Sequence, residues 1–217
     1  YAVFRGSEAD VLDRYYRAAI LAEAEVIVRI TGDCPLVDPA IVDELHAVGS
    51  IYANDHRPNP SLVFLHRDPH GKVRGATLRD TRQKSAFRPC LGNKLTAWFA
   101  VGNFADADRI VAVESPIDAL SYYSLFANRH DAFAIVSCAG STVPYELMFR
   151  ACDRRRSFVV ALDNDAAGER GWAKAWDDTV DWAGFRLSSE CPTYKDWNDD
   201  LVYVAGKQPR ITSSLRL

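Results

Sequence analysis

An α/β fold with a parallel sheet and flanking helices is predicted for this chain, and three observations predict it. From Arg109 onward, short apolar runs alternate regularly with helical stretches, the order expected of right-handed crossovers between parallel strands. The runs Ile110–Val113 and Phe158–Leu162 are continuously apolar, and Phe133–Cys138 is apolar but for Ser137, as strands covered on both faces are. Helix-start signals, Ser115-Pro116 and Asp165-Ala166, follow directly on two of them. With 217 residues, 48% hydrophobic and 25% charged, the chain is of globular composition and about one and a half average domains long.

Taken in order, Ser7 and Asp10 start a helix that carries Val11, Leu12, Tyr15 and Ala19 on one face. A strand at 26–30 ends at Thr31-Gly-Asp33, and Asp38-Pro39 begins a helix reaching about Val48. Residues 49–61, rich in Asn, Pro, His and Ser, read as a linker. Leu62–His66 and Lys72–Leu78 form a hairpin about Asp68-Pro-His-Gly71, and a strand is expected at 97–101. The alternating region follows: strand 110–113, helix to about 128, strand 133–138, helix 143–155, strand 158–162, helix 166–182 and a short strand at 185–187. The organisation is therefore an N-terminal α/β fragment (1–48), a linker (49–61), a basic hairpin region (62–104), an α/β domain (105–205) and a tail (206–217).

The net charge of −3 is an average of unlike parts. Residues 1–50 carry four basic against nine acidic side chains, a balance of −5, and the remainder is at +2. Within it, Arg67, Lys72, Arg74, Arg79, Arg82, Lys84, Arg88 and Lys94 face only Asp68 and Asp80, a local +6 suited to a DNA or RNA backbone. On charge alone a solvated hairpin face explains the segment as well. Five cysteines without a Cys-x-x-Cys pair indicate a reducing, cytoplasmic setting. The five histidines supply no zinc set, and His66 and His70 read as polar residues flanking a turn. No apolar run approaches the ~18 residues of a membrane span, so no membrane partner is expected. Tyr1 opens the chain and Met148 is the sole methionine, so an upstream portion is expected.

The acidic residues carry the chemistry. In open parallel sheets the binding crevice lies at the carboxyl ends of the strands. There the sequence places Glu114, then Asp163-Asn-Asp165, then Lys195-Asp-Trp-Asn-Asp-Asp200. Clustered carboxylates raise one another's pKa values and call for a cation, and oxygen-only ligands suit magnesium, which keeps room for water and substrate phosphates. Glu114, apart from the Asp pair, is placed as general acid or base. Each residue also has a plain structural explanation: Asp165 as a helix cap, Asp163 in a solvated turn, Glu114 as a loop carboxylate, and Asp196 to Asp200 as an exposed turn.

Three pieces, Val111-Ala-Val-Glu-Ser-Pro-Ile-Asp-Ala-Leu120, Ala161-Leu-Asp-Asn-Asp-Ala-Ala-Gly-Glu-Arg170 and Lys195-Asp-Trp-Asn-Asp-Asp-Leu201, resemble the Toprim (topoisomerase–primase) domain of plasmid mobilisation and primase-like proteins. The resemblance extends over about residues 62–201. It implies Glu114 as the catalytic glutamate, Asp163 and Asp165 as metal ligands, Asp118 as a supporting acid and Asp196 at the third acidic motif, with Lys195, Asn198 and Asp199 beside it. It also implies Mg2+, or Mn2+, and nucleotidyl or phosphoryl transfer on DNA or RNA, with a nucleotide as substrate. Two departures matter. Ser115-Pro116 stands where many members have glycine after the glutamate, and Asn198 replaces an acid of the third motif, which weakens a second metal site.

Val3-Phe-Arg-Gly-Ser-Glu-Ala-Asp-Val-Leu-Asp-Arg-Tyr-Tyr16 and Val28-Arg-Ile-Thr-Gly-Asp-Cys-Pro-Leu-Val-Asp-Pro39 are similar to a different family, the cytidylyltransferases of polysaccharide and acylneuraminate activation. That resemblance implies Asp33 beside a nucleotide and its metal. The family's glycine- and arginine-containing phosphate loop and its sugar-binding half are not in the sequence, so the piece is expected to be structural. Three functions therefore compete: a magnesium-dependent Toprim enzyme, a sugar-nucleotide cytidylyltransferase fragment, and a non-catalytic Toprim module that binds strands or a protein.

Overall fold

The computed structural model of the protein describes residues 39–54, 61–80, 89–102, 104, 106–126 and 133–207. The helix expected after Ser7, the strand at 26–30, Asp33, and the basic residues Arg82, Lys84 and Arg88 lie outside the described residues. Helix α1 (Pro39–Ala47) leads into an antiparallel meander of β1 (Ile51–Asn54), β2 (Ser61–Arg67), β3 (Val73–Asp80) and β4 (Cys90–Gly92), paired in that order. A second sheet holds β5 (Phe99–Val101), β6 (Arg109–Val113), β7 (Phe133–Ser137), β8 (Ser157–Val160) and β9 (Arg186–Ser189), in the spatial order β5-β7-β6-β8-β9. Helices α2 (Pro116–Phe126), α3 (Tyr145–Asp153) and α4 (Ala166–Thr179) connect β6 to β9, and α5 (Trp197–Lys207) follows.

The alternation predicts parallel pairing, and β6, β7, β8 and β9 are parallel. The edge strand β5 departs from it and runs antiparallel to β7. Ile51–Asn54 is a further departure: its composition reads as linker, yet it pairs with β2 from Ile51↔Phe64 to Asn54↔Ser61. Ile51 is buried while Tyr52 and Ala53 are exposed, so one buried side chain and a backbone ladder hold the strand, a signal that composition does not carry. The exposed β4 and the helix α5 are also absent from the sequence reading. Lys195 to Asp200 resembles a polar turn until Trp197 and Leu201, four apart, are seen as one buried face.

The parallel sheet is covered on both sides. One face joins Val111, Val113, Ile135 and Val159 to α2, to Trp197 and Leu201 of α5, and to Phe64, Phe99, Ile41 and Leu45. The same core thus runs under both sheets, with the Phe64 and Phe99 rings meeting edge to face at 5.3 Å. Backbone bonds between Arg67 and Trp98, at 2.9 and 3.1 Å, add to the attachment. The opposite face packs Ile110, Ala112, Val136, Phe158 and Val160 against Leu147, Met148 and Ala151 of α3 and Ala175 of α4.

The helix following β6 therefore lies on one face and the helix following β8 on the other. Between these neighbouring strands the chain separates, and their carboxyl ends open a crevice. Among the described residues, no helix is long and apolar enough to cross a membrane.

Candidate active site

The crevice is lined by the residues that end β6 and β8. Ser115 begins α2: its hydroxyl accepts from the Asp118 backbone N–H at 3.2 Å and donates to Asp118 Oδ2 at 2.6 Å, a reciprocal cap with Pro116 as the first helical residue. The loop that follows Glu114 is thereby closed into the helix. On the other side, the Glu114 carbonyl accepts from Gly140 N at 2.9 Å, so the backbone before the carboxylate is held from the β7 end as well.

From β8, Ala161 N bonds Ala112 O at 2.8 Å, and Trp197 Nε1 donates to Ala161 O at 2.7 Å. Asp163 follows, its backbone N–H directed at Glu114 Oε1 across 3.4 Å. The Asp163 Oδ1 atom is buried and has no hydrogen-bond partner among the described residues. Gly168 lets the next turn approach: a methyl group there would be driven into the Asp163 carbonyl. Gly168→Ala is therefore expected to cost about 1–3 kcal/mol, read as a lowered Tm.

Asp165 does what its structural explanation requires. Its Oδ1 accepts from Ala167 N at 2.7 Å and Gly168 N at 3.0 Å, capping α4, and these bonds hold its carboxyl below the ordinary range. Asp196 caps α5 in the same manner, its Oδ1 accepting from Asp199 N at 2.8 Å, and Asp200 is occupied by Thr193 N and Tyr194 N. Lys195 is tied to the second acidic loop through its carbonyl, which accepts from Asn164 N at 2.8 Å.

The cleft has a volume of about 380 Å³. One wall carries Glu114, Asp118, Asp163, Asp196, Asn198, Asp199 and Lys195; β3 and its neighbours supply the other through Thr77, Arg79, Phe64 and Cys90. Five of the predicted carboxylates thus share one opening, and Asp165 is not among its lining residues.

Burial and mutual repulsion act on them together. Burial, then the charges of Asp118 and Glu114, push the Asp163 carboxyl up to about 8. Burial first, with Asp196 and Glu114 adding to it, raises Asp118 to about 6 against the opposing bond from Ser115. Glu114 is raised mainly by burial, and Asp199 likewise. Among the described residues, no three His, Cys, Asp or Glu side chains converge closely enough to hold a metal by themselves.

The predicted basic residues divide. Arg67 donates to the Gly71 and Gly49 carbonyls at 3.0 and 3.2 Å, and Arg74 is paired with Asp68 at 2.8 Å, so both serve the hairpin tip. Lys72 is exposed in the same turn. Lys94 donates to Ala139 O at 3.1 Å, bracing the loop beside Glu114. Arg79 alone of the eight lines the cleft among the described residues. His66, read from sequence as a turn residue, is a buried strand residue of 1% exposure bonded to Thr77. Thr77 and Cys90 are cleft residues that sequence reasoning missed, because only the pairing of β3 with β4 and their packing over the second sheet bring them there.

Residues 111–201 match the protein-family profile described as Toprim-like. Solved structures with a similar fold include a bacteriophage T7 primase domain, seen with the lagging-strand DNA polymerase and an RNA/DNA hybrid, at 17% identity and a TM-score of 0.54, covering 75% of this chain and 80% of that one. The primase fragment of the T7 primase-helicase follows at 16% and 0.53, covering 76% and 66%. The DnaG primase catalytic domain bound to single-stranded DNA is similar at 19% and 0.51, covering 79% of this chain and 56% of that one.

Two curated proteins match over much shorter stretches. An uncharacterized protein of Methanocaldococcus jannaschii is 57% identical over 42 residues, 19% of this chain and 17% of its own length. The spore coat polysaccharide biosynthesis protein SpsF of Bacillus subtilis is 49% identical over 43 residues, 20% of this chain and 18% of its own. The chain thus spans less than a fifth of the curated relatives it matches. Segment 111–201 is thus Toprim-like, and the fold of the chain is similar to that of these primase domains.

Proposed function

We propose that this cleft performs metal-dependent nucleotidyl or phosphoryl transfer on nucleic acid, as a primase-like enzyme or in DNA mobilisation. One observation carries the reading. The two strands flanking the crevice bring Glu114 and Asp163 to within a backbone hydrogen bond of each other, and they leave a buried Asp163 oxygen without a partner. A buried acceptor among repelling carboxylates is stabilised by a cation.

The donor set fits magnesium or manganese. It is oxygen-only, the donor type that magnesium prefers, and the cleft has room for water and substrate phosphates. Asp163 would hold the ion, with Glu114 and Asp196 on the same wall. A divalent ion bound there would offset the charge that develops on a transferring phosphate. Glu114, raised by burial, is suited to exchange a proton with the attacking or leaving hydroxyl at its carboxylate. Arg79 and Lys195 supply positive charge for the phosphates from opposite sides of the opening.

Asp165 as a helix cap and Asn198 in place of an acid favour a second reading, a non-catalytic strand-binding module. A single-stranded DNA template incubated with ribonucleoside triphosphates, with magnesium, manganese or EDTA, separates the two. Extended or joined product that EDTA abolishes supports the enzyme. Oligonucleotide binding that is indifferent to magnesium, with no product under any condition, supports the module.

A further inference from the structure

Opposite the carboxylates, β3 presents Thr77 and Arg79 two residues apart and therefore on the same face of the strand. Behind Thr77 lies His66 of β2, whose Nε2 is 2.8 Å from Thr77 Oγ1. The ring is 1% exposed, and its Nδ1 has no hydrogen-bond partner among the described residues. We propose that Thr77 is a substrate-contacting residue that donates its hydroxyl proton to a phosphate oxygen, and that His66 is the positioning residue that turns that proton into the cleft. This rests on the phosphoryl-transfer reading of the cleft and adds a ligand contact to it.

The direction follows from hydrogen-bond inventory. A neutral imidazole has one N–H and one bare nitrogen, whereas a threonine hydroxyl has one proton and two lone pairs. A proton on Nδ1 would be an orphaned buried donor, which folded proteins rarely tolerate. With the proton on Nε2 the ring donates to Oγ1 instead. The threonine proton is then left to point away from His66, and Thr77 is a lining residue of the cleft. Burial also depresses the ring's pKa to about 4, so His66 stays neutral and keeps this arrangement near pH 7.

The acceptor class follows from the two walls. Arg79 carries donors only, and Thr77, with one lone pair taken by His66, turns its proton outward, while the facing wall is carboxylate and suited to a cation. A group between them must accept from one side and present oxygens to a cation on the other. A phosphate does both.

Two measurements on the described protein test this. In 15N-resolved spectra of the wild type, the His66 ring is expected to show the Nε2–H tautomer at pH 7, and the Nδ1–H tautomer would overturn the positioning role. Calorimetric titration with magnesium tripolyphosphate is expected to weaken about tenfold or more in Thr77→Val and to stay within about twofold in Thr77→Ser, which restores the hydroxyl. Unchanged affinity in Thr77→Val overturns the contact, as does failure of Thr77→Ser to restore it. Titration with magnesium alone, comparing wild type with Asp163→Asn, reports separately on the underlying reading. If that substitution removes magnesium binding while Thr77→Val changes nothing, only the Thr77 contact fails.

Discussion

The Glu114→Gln variant is expected to lose nucleotidyl transfer by about 10²- to 10⁴-fold while keeping its fold, the range associated with a positioned acid or base. Glutamine has the size of glutamate, and its side-chain oxygen still accepts from Asp163 N, the bond of 3.4 Å that joins the two strand ends. The main-chain anchor, Gly140 N to the Glu114 carbonyl, does not involve the side chain at all. What disappears is the charge and the capacity to exchange a proton. Burial already penalises the charged carboxylate, so the amide should leave Tm unchanged or slightly higher. Template-directed incorporation compared at equal magnesium measures the effect, with circular dichroism as the check on folding. A rate within threefold of wild type would remove Glu114 from the chemistry.

Asp163→Asn is the second large effect, and its sign depends on whether metal is present. In the folded, metal-free protein the Asp163 carboxyl titrates at about 8, against an ordinary value of 3.8. Between those values the folded state binds more protons than the unfolded one, so stability falls as pH rises from about 4 to about 8. Asp118, raised to about 6, adds to the decline at the acidic end. Asparagine removes the Asp163 contribution.

The variant should therefore be more stable than wild type in EDTA at pH 8 and above, and nearly equal to it at pH 4. Solvent in this half-open cleft screens the repulsion, so a gain on the order of 1 kcal/mol is appropriate. For a chain of this size that is a Tm rise of about 2–4 °C. With magnesium the order is expected to reverse. If Asp163 holds the ion as proposed, the wild type should gain stability from it increasingly as pH approaches 8, because the carboxylate must be deprotonated to bind, and the variant should lose at least tenfold in magnesium affinity. Thermal unfolding from pH 5 to 9, with magnesium and with EDTA, checks both signs. A wild-type profile flat across that range in EDTA would show that Asp163 is not under strain.

Much of this architecture was legible from local pattern. Ile110–Val113 and Phe158–Leu162 are apolar without interruption because both faces of β6 and β8 are covered, and burial of that kind leaves no polar alternation to misread. Helices α2 and α4 announced their first turns through Ser115-Pro116 and Asp165, and all three residues sit at those helix starts. The places where reading failed share a cause. Residues 51–54 are held by pairing with a strand some ten residues away, His66 is buried within β2 and bonded to Thr77 of β3, and α5 hides its apolar pair, Trp197 and Leu201, within an acidic stretch.

The acids divide along the same line. Their occurrence at three strand ends follows from chain order alone, and with it the expectation of a shared crevice. Which of them remain available does not, because a carboxylate that caps a helix and one that lines a cleft can occupy identical sequence contexts. Asp163 and Asp165 are separated by a single residue, yet Asp165 is satisfied by the N–H groups of Ala167 and Gly168, while Asp163 keeps a buried oxygen unpartnered.

The basic segment shows it again. Its local charge of +6 is a property of composition, but Arg67 and Arg74 are engaged at the hairpin tip and Arg79 reaches the cleft, since that depends on how the antiparallel sheet lies over the parallel one. Burial periodicity and capping chemistry, which act over a few residues, set the order of strands and helices and the residue types delivered to the crevice. Which of those side chains face the crevice with a valence left unsatisfied depends on packing, because hydrogen-bond partners and desolvation come from neighbours distant in the chain.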